Sequence, residues 1–134
     1  MRIDAHHHLW SLARGDYGWL KSGLAPIYRD FGLPDLAPHL AAAGIEGTIL
    51  VQAAPSEAET LYLLDIAETA ETVRGVVGWT DFDAADGAAR IDALAARKHL
   101  VGLRPMVQDI HDDDWLLGPA LAPLLTAMVR NGLV

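Results

Sequence analysis

Residues 47–53 read Gly-Thr-Ile-Leu-Val-Gln-Ala, an almost unbroken apolar run. Such a run is typical of a strand in a parallel sheet covered on both faces, because neither face has to meet water. Ser56 follows the run and Glu59 lies three residues further on, which is the spacing of a capping box at the start of a helix. The sequence therefore predicts a strand that leads directly into a helix. We expect the buried side of that helix to consist of Leu61, Leu64, Ile66 and Ala67.

The alternation of strand and helix extends in both directions from this unit. Further strands are predicted at about residues 2–6, 73–79 and 100–104, further helices at about 34–43, 83–97 and 117–130, and the start of a fifth strand at 133–134. Alternation of this kind implies parallel strands joined by right-handed crossovers, as in an open doubly wound sheet or a (β/α)₈ barrel. No glycine-rich phosphate loop follows a strand, so no dinucleotide-binding fingerprint is present. The barrel is the better fit.

The length of the chain limits how much of a barrel it can form. A complete barrel needs about 250 residues, whereas the 134 residues here supply four βα units and the opening of a fifth. We therefore predict an α/β fold in which residues 1–134 form a single domain, the N-terminal half of a (β/α)₈ TIM barrel that continues beyond residue 134. Two alternatives are that two copies complete each other and that the gene is truncated.

Composition excludes several classes of function. The formal net charge of −8 argues against binding to nucleic acid and to anionic membranes, which both attract basic surfaces. The absence of cysteine excludes disulfides and thiolate chemistry and leaves the compartment open, with the cytoplasm as the default. No apolar segment approaches the roughly 18 residues of a membrane span, and we expect neither a signal peptide nor a transmembrane helix.

The first predicted strand ends in a group of histidines, in the run Ile-Asp-Ala-His-His-His-Leu-Trp at residues 3–10. Side chains alternate along a strand, so His6 and His8 should share one face and His7 should point to the other. Two neutral imidazoles on one face can form half of a metal site, and Asp4 could orient one of them. The alternatives are a pair of histidines with no metal and the remnant of a tag.

Polar or aromatic residues follow each of the other strands, at the end where a βα barrel places its chemistry. They are Gln52, then Trp79 and Asp81, then Arg104 with Gln108. Arg104 could hold a carboxylate through two hydrogen bonds, or form an internal salt bridge to Asp81 or Asp109. The two glutamines could donate hydrogen bonds to a ligand or stabilise loops. His39, His99 and His111 are expected to lie outside the site.

A long aromatic segment joins the first strand to the first helix, between residues 9 and 32. It holds Trp10, Tyr17, Trp19 and Tyr28. Loops of this length are commonly lids or binding loops. The alternative is a structural loop that packs its own aromatic side chains.

Taken together, residues 4–10, 51–53, 78–81, 101–104 and 107–109 resemble the amidohydrolase superfamily. Within it they are similar to the "amidohydrolase 2" branch of lactone hydrolases, which includes L-fuconolactonase, L-rhamnonolactonase and 2-pyrone-4,6-dicarboxylate lactonase. The similarity covers essentially the whole chain but only the N-terminal half of such an enzyme. It implies a (β/α)₈ barrel that hydrolyses the ester of a small-molecule lactone.

The resemblance also implies roles for individual residues. His6 and His8 match a pair that binds a divalent metal, such as Zn or Mn, in many members, although some lactonases of this branch work without a metal. Arg104 matches a substrate-binding position, and it is followed here by Pro105 where many relatives have histidine. The carboxylate that activates water in such enzymes would lie beyond residue 134, so these residues alone should be inactive.

We predict that Arg104, Gln52, Trp79, Asp81, Gln108 and Trp10 contact the substrate. A metal-dependent decarboxylase, a TatD-like nuclease and a non-catalytic half-barrel that needs a partner are the competing hypotheses, and the acidic charge argues against the nuclease. Assembly of identical copies is left open.

Overall fold

The computed structural model describes residues 1–134 and contains one parallel sheet of four strands. The strands are β1 (Ile3–His7), β2 (Gly47–Val51), β3 (Val73–Gly78) and β4 (Leu100–Leu103). They lie side by side in chain order. A doubly wound sheet would reverse its order at a switch point, so this order is that of a barrel wound in one direction.

The last residues add to the free edge of β4. The Val134 amide donates to the Val101 carbonyl at 3.1 Å, and the Leu103 amide donates to the Val134 carbonyl at 2.9 Å. Gly102 lies so close to Val134 that a Cβ atom would be 2.5 Å from its carbonyl oxygen. Val134 therefore pairs with β4 in a parallel register, at the position predicted for the start of a fifth strand.

One α-helix follows each of the four strands along the chain. The helices are α1 (Leu33–Ala43), α2 (Glu57–Thr69), α3 (Gly87–Ala95) and α4 (Ala122–Arg130), and none is long and apolar enough to cross a membrane. The third helix begins at Gly87 and not at Asp83, because the Asp83 amide turns back to the Asp81 carboxylate at 3.0 Å. The fourth begins at Ala122, since the Pro119–Leu121 segment forms a 3₁₀ turn that places Pro123 in the first turn of the helix.

The core lies between the sheet and the helices. Leu50 and Val76 from the strands pack with Leu63, Leu64 and Ile91 from the helices, and all five are fully buried. The expectation for Leu61 is wrong, because 43% of this residue is exposed. The buried side of α2 consists of Glu59, Thr60, Leu63, Leu64 and Ala67. The helix is thus rotated so that two polar residues face the ends of the strands.

Candidate functional site

The paired imidazoles converge at the end of β1. The Nε2 atoms of His6 and His8 are 3.2 Å apart, and His7 points the other way and is buried. His8 Nδ1 lies 2.9 Å from the Val51 carbonyl oxygen. Because a carbonyl only accepts, Nδ1 carries the proton and donates it, which leaves the lone pair of His8 on Nε2.

Burial disfavours the charged form of two of the histidines. It lowers the pKa of His8 and of His7 below their ordinary value. Asp4 does not orient an imidazole, contrary to expectation, because its carboxylate accepts the backbone amide of His6 at 3.1 Å. The Val51 carbonyl of the neighbouring strand orients His8 in its place.

This pair of imidazoles fits half of a metal site. Two nitrogen ligands at about 2.0–2.1 Å from a tetrahedral zinc ion lie about 3.3 Å apart, close to the 3.2 Å between the two Nε2 atoms. The donation from Nδ1 to a carbonyl is the arrangement that orients metal-ligating histidines. Residues 1–134 contain no group of three His, Cys, Asp or Glu side chains arranged to hold an ion. A complete site would therefore need ligands in addition to His6 and His8.

A cavity of about 580 Å³ opens beside His8, where β1, β2 and β4 end. This volume lies in the range of small-molecule binding sites. Its polar and aromatic wall includes His8, Asp16, Trp19, Arg104, Gln108 and Asp109. Three of the site residues predicted from the sequence, His8, Arg104 and Gln108, thus meet around one cavity.

Arg104 is held in place by backbone and not by a carboxylate. Its Nη2 donates to the Gln52 carbonyl at 2.9 Å, and its Nε is buried without a partner. No salt bridge to Asp81 or Asp109 forms, so that alternative is not realised. The guanidinium retains donors for a ligand in the cavity.

Gln52 lies beneath the cavity and not on its wall. The side chain is fully buried, and Nε2 donates to the Arg104 carbonyl at 3.1 Å and contacts Met106 Sδ at 3.1 Å. Because Gln52 and Arg104 each bind the other's carbonyl, they cross-link the ends of β2 and β4. The substrate contact expected of Gln52 is therefore replaced by a positioning contact with Arg104.

The other predicted residues lie further away. Trp79 and Asp81 line a separate cavity of about 180 Å³, which adjoins the first and shares Met106 and Asp109 with it. Trp10 lines neither of the two. Its Nε1 donates to the Arg29 carbonyl at 2.8 Å, and its ring meets the ring of Trp19 edge-on at 5.7 Å.

Trp19, not Trp10, is the aromatic residue of the large cavity; the sequence places Trp19 in the aromatic segment but does not predict this contact. Trp19 is 42% exposed, and its Nε1 donates to the Ala53 carbonyl at 2.8 Å. Asp16 was missed as well. It pairs with Arg14 at 2.6 Å and accepts from Ser56 Oγ at 3.3 Å. Asp16 and Trp19 both lie in the aromatic segment. The glycines at positions 15 and 18 are the sequence feature that indicates a turn in this part of the segment.

Comparison with known proteins agrees with this geometry. The sequence profile of the amidohydrolase family matches residues 3–134. The chain is 46% identical over 132 residues to an L-fucono-1,5-lactonase from Burkholderia ambifaria, covering 98% of this chain and 46% of that protein. A second L-fucono-1,5-lactonase, from Burkholderia multivorans, is 37% identical over 113 residues, covering 84% and 38% of the two chains.

Solved structures show the same relationship. The chain superposes on an amidohydrolase from Burkholderia multivorans with bound zinc at a TM-score of 0.86 and 30% identity, over 99% of this chain and 47% of that one. The similar solved structures are TIM-barrel amidohydrolases. The chain spans about half of their length, which is consistent with half of a barrel. The sheet order, the paired histidines and the match over residues 3–134 lead to one conclusion: the chain belongs to the amidohydrolase family.

Proposed function

We propose that the whole protein hydrolyses the ester bond of a neutral, polyhydroxylated sugar-acid lactone. The observation that carries the proposal is the large cavity, where His8, Arg104 and Trp19 face one space. Two relatives of this chain are L-fucono-1,5-lactonases. Because the chain spans about half the length of these relatives, the activity is proposed for the protein that contains the complete barrel.

The charges around the cavity favour a neutral substrate. Arg104 is the one permanently cationic side chain on the wall, and Asp16 and Asp109 are carboxylates. Arg14 pairs with Asp16, whereas Asp109 has no cationic partner and would repel a lactone with two carboxylates, which could pair with one guanidinium only. A hydroxylated ring would find hydrogen-bond partners in Gln108 and Asp109 and an apolar face on Trp19. Sugar-acid lactones therefore suit this wall better than dicarboxylated ones.

Hydrolysis adds water to the lactone carbonyl carbon, breaks the ring C–O bond and releases a hydroxy acid. Arg104 would donate to the carbonyl oxygen, whose negative charge grows in the transition state. His6 and His8 would hold a divalent ion, for which we propose zinc, and such an ion supplies Lewis-acid polarisation of the carbonyl. The general base and the remaining ligands are expected in the second half of the barrel, beyond residue 134.

The test uses the full-length protein and follows acid release from sugar-acid lactones and from 2-pyrone-4,6-dicarboxylate. We expect turnover of the sugar-acid lactones and at least about 100-fold lower kcat/KM on the dicarboxylate. In His6→Ala and His8→Ala, bound zinc measured by mass spectrometry should fall together with kcat, while the exposed His111→Ala serves as the control. Release of carbon dioxide or preference for the dicarboxylate would overturn the proposal.

A further inference from the structure

Glu59 is a fully buried acidic side chain for which the proposed reaction has no use. A capping box would send its carboxylate back to the amide of Ser56. Only the first half of the box forms: Ser56 Oγ accepts the Glu59 amide at 3.1 Å. The carboxylate instead accepts the amides of Ala53, at 3.0 and 3.1 Å, and of Ala54, at 2.6 Å. Glu59 thus fixes the turn that follows β2.

This turn carries one wall of the large cavity. The Ala53 amide is bound by Glu59, and the Ala53 carbonyl accepts Trp19 Nε1 at 2.8 Å. Tyr17 and Leu20, on either side of Trp19, pack on Ala53 and Ala54 in a small buried cluster. The position of the Trp19 ring therefore depends on the position of the peptide that Glu59 holds.

A second link joins the same two segments. Asp16 Oδ2 accepts from Ser56 Oγ at 3.3 Å and from Arg14 Nη2 at 2.6 Å. Ser56 is the N-cap of the helix that carries Glu59. The first turn of α2 therefore contacts the aromatic segment on one side and the end of β2 on the other.

We infer that Glu59 is a positioning residue, which holds the β2–α2 turn and through it the Trp19 ring in the wall of the substrate cavity. The inference rests on the proposed function in one respect, namely that Trp19 is the face on which the lactone ring lies. Such a face binds substrate and transition state alike, so its displacement raises KM more than it lowers kcat.

The ionisation of Glu59 gives this linkage a dependence on pH. Burial raises the pKa of its carboxyl to about 7, against the opposing effect of the amides that it accepts. The titratable groups that act on it are Asp16, which Arg14 pairs with, and Tyr17 on the aromatic segment and Tyr62 on its own helix, whereas the β2 turn carries no titratable side chain. Protonation removes the negative charge that both amides bind. The turn should therefore loosen as the pH falls through about 7.

The first experiment measures the position of Trp19 without using activity. The full-length protein is labelled with 5-fluorotryptophan, and its ¹⁹F spectrum is followed from pH 5 to pH 9, with the Trp19 resonance assigned by Trp19→Phe. We expect this resonance to titrate near pH 7 and the titration to be absent in Glu59→Gln. His8 lies on the same cavity, and Glu59→Gln keeps His8, so any effect of His8 on the Trp19 resonance persists in that variant.

The second experiment is kinetic and uses the same variants. Above pH 8, Glu59→Gln should raise KM for a sugar-acid lactone about tenfold with kcat changed less than about threefold, and the two proteins should converge below pH 6. Glu57→Gln is the matched control, because Glu57 lies in the same turn of α2 but bonds Thr80 and Arg90. It should leave both KM and the Trp19 resonance unchanged.

The outcomes separate this inference from the proposed function. A Trp19 resonance that does not titrate near pH 7 in the wild-type protein overturns the inference, even if lactones are hydrolysed and even if Glu59→Gln fails to fold. A resonance that titrates in the wild type and not in Glu59→Gln supports it, even if no sugar-acid lactone is a substrate. Equal loss of kcat and kcat/KM in Glu59→Gln, with KM unchanged, also overturns it.

Discussion

The carboxyl ends of β2 and β3 differ sharply from those of β1 and β4. At β2 and β3, the buried side chains of Glu59 and Thr60 bind the amides of Ala53, Ala54 and Trp79 and the Trp79 carbonyl. At β1 and β4, His6 is exposed, and the guanidinium of Arg104 makes one hydrogen bond to an oxygen, the Gln52 carbonyl. We call the first region, the ends of β2 and β3 with the first turn of α2, the floor; the second region keeps an exposed imidazole and a guanidinium with further donors. A functional site needs both, because reactive groups must be unpaired before they meet a ligand and yet held in position.

The floor owes its order to two buried residues of α2. Glu59 binds the turn after β2. Thr60 Oγ1 accepts the Trp79 amide and donates to its carbonyl, both at 2.7 Å. Gly78 is needed here, since a Cβ atom would collide with Thr60. One helical turn therefore holds the ends of two strands.

The change expected to damage the floor most is Glu59→Ala. It leaves two buried amides without acceptors, at about 1–3 kcal/mol each, so the free energy of unfolding should fall by about 4 kcal/mol. Denaturant unfolding of the full-length protein measures this. Glu68→Ala is the control, because Glu68 forms an exposed pair with Arg97 and should cost less than about 1 kcal/mol. Equal losses in the two variants would mean that the floor is no more ordered than the surface.

A pH dependence of stability follows from the same residue. Its pKa is raised to about 7 in the folded protein from 4.5, so the folded state holds more protons between these values. Stability should therefore fall as the pH rises from about 4.5 to about 7, by at most about 3 kcal/mol from this group. The buried charge costs more in lost hydration than the two amides recover, so ionisation lowers the stability of the whole fold although the charged carboxylate holds the turn more tightly than the neutral acid does. The difference between wild type and Glu59→Gln isolates the effect, and an unchanged difference across this window would show that the carboxylate is not desolvated.

Thr60→Val tests the link to β3 with almost no change of shape. It removes the hydroxyl that pairs with both backbone groups of Trp79 and should cost about 2 kcal/mol. Thr69→Val, on the exposed side of the same helix, should cost less than about 0.5 kcal/mol. Thermal unfolding of both variants provides the measurement. Equal losses in the two would contradict the role given to Thr60.

The smallest loss of free energy is expected from a change at Arg104, which follows β4. Arg104→Lys keeps the charge but loses the planar guanidinium, which can donate to the Gln52 carbonyl and to a ligand in the cavity at the same time. We expect kcat/KM of the full-length enzyme to fall about tenfold with little change in unfolding free energy. Arg97→Lys is the control, because Arg97 forms surface salt bridges with Asp65 and Glu68. This variant should leave kcat/KM unaltered. A large loss of stability in Arg104→Lys would place Arg104 in the floor.

The parts of the fold that depend on local pattern could be predicted from the sequence. The apolar run at 47–53 gave β2, and Gly44 ends α1 with a φ of 63°, its amide bonding back into the helix. The two histidines share a face because strand alternation requires it. The start of α4 was placed too early, since Pro119 and Pro123 admit either a helix or a 3₁₀ turn and tertiary contacts decide between them.

The missed residues depend on contacts between distant segments. The capping spacing of Ser56 and Glu59 is correct, but the amides of Ala53 and Ala54 compete for the carboxylate and bind it. Leu61 fits an apolar stripe as well as Leu63 does, and only the polar contacts of Thr60 fix the rotation of the helix. No periodicity distinguishes Trp10 from Trp19. The sequence pattern therefore cannot predict which of these two tryptophans lines the cavity.

The chain-order arrangement of the sheet has a kinetic consequence. Each strand pairs with the one made just before it, so every new βα unit can dock on a template already present. Pairing each strand with its neighbour in the chain keeps the loops to be closed shorter than a permuted strand order would, which lowers the entropy lost in closing them. A chain wound in this way can gain structure stepwise as it leaves the ribosome. The free edge of β1 is the exception, because its other neighbour in a closed barrel would be the last strand made.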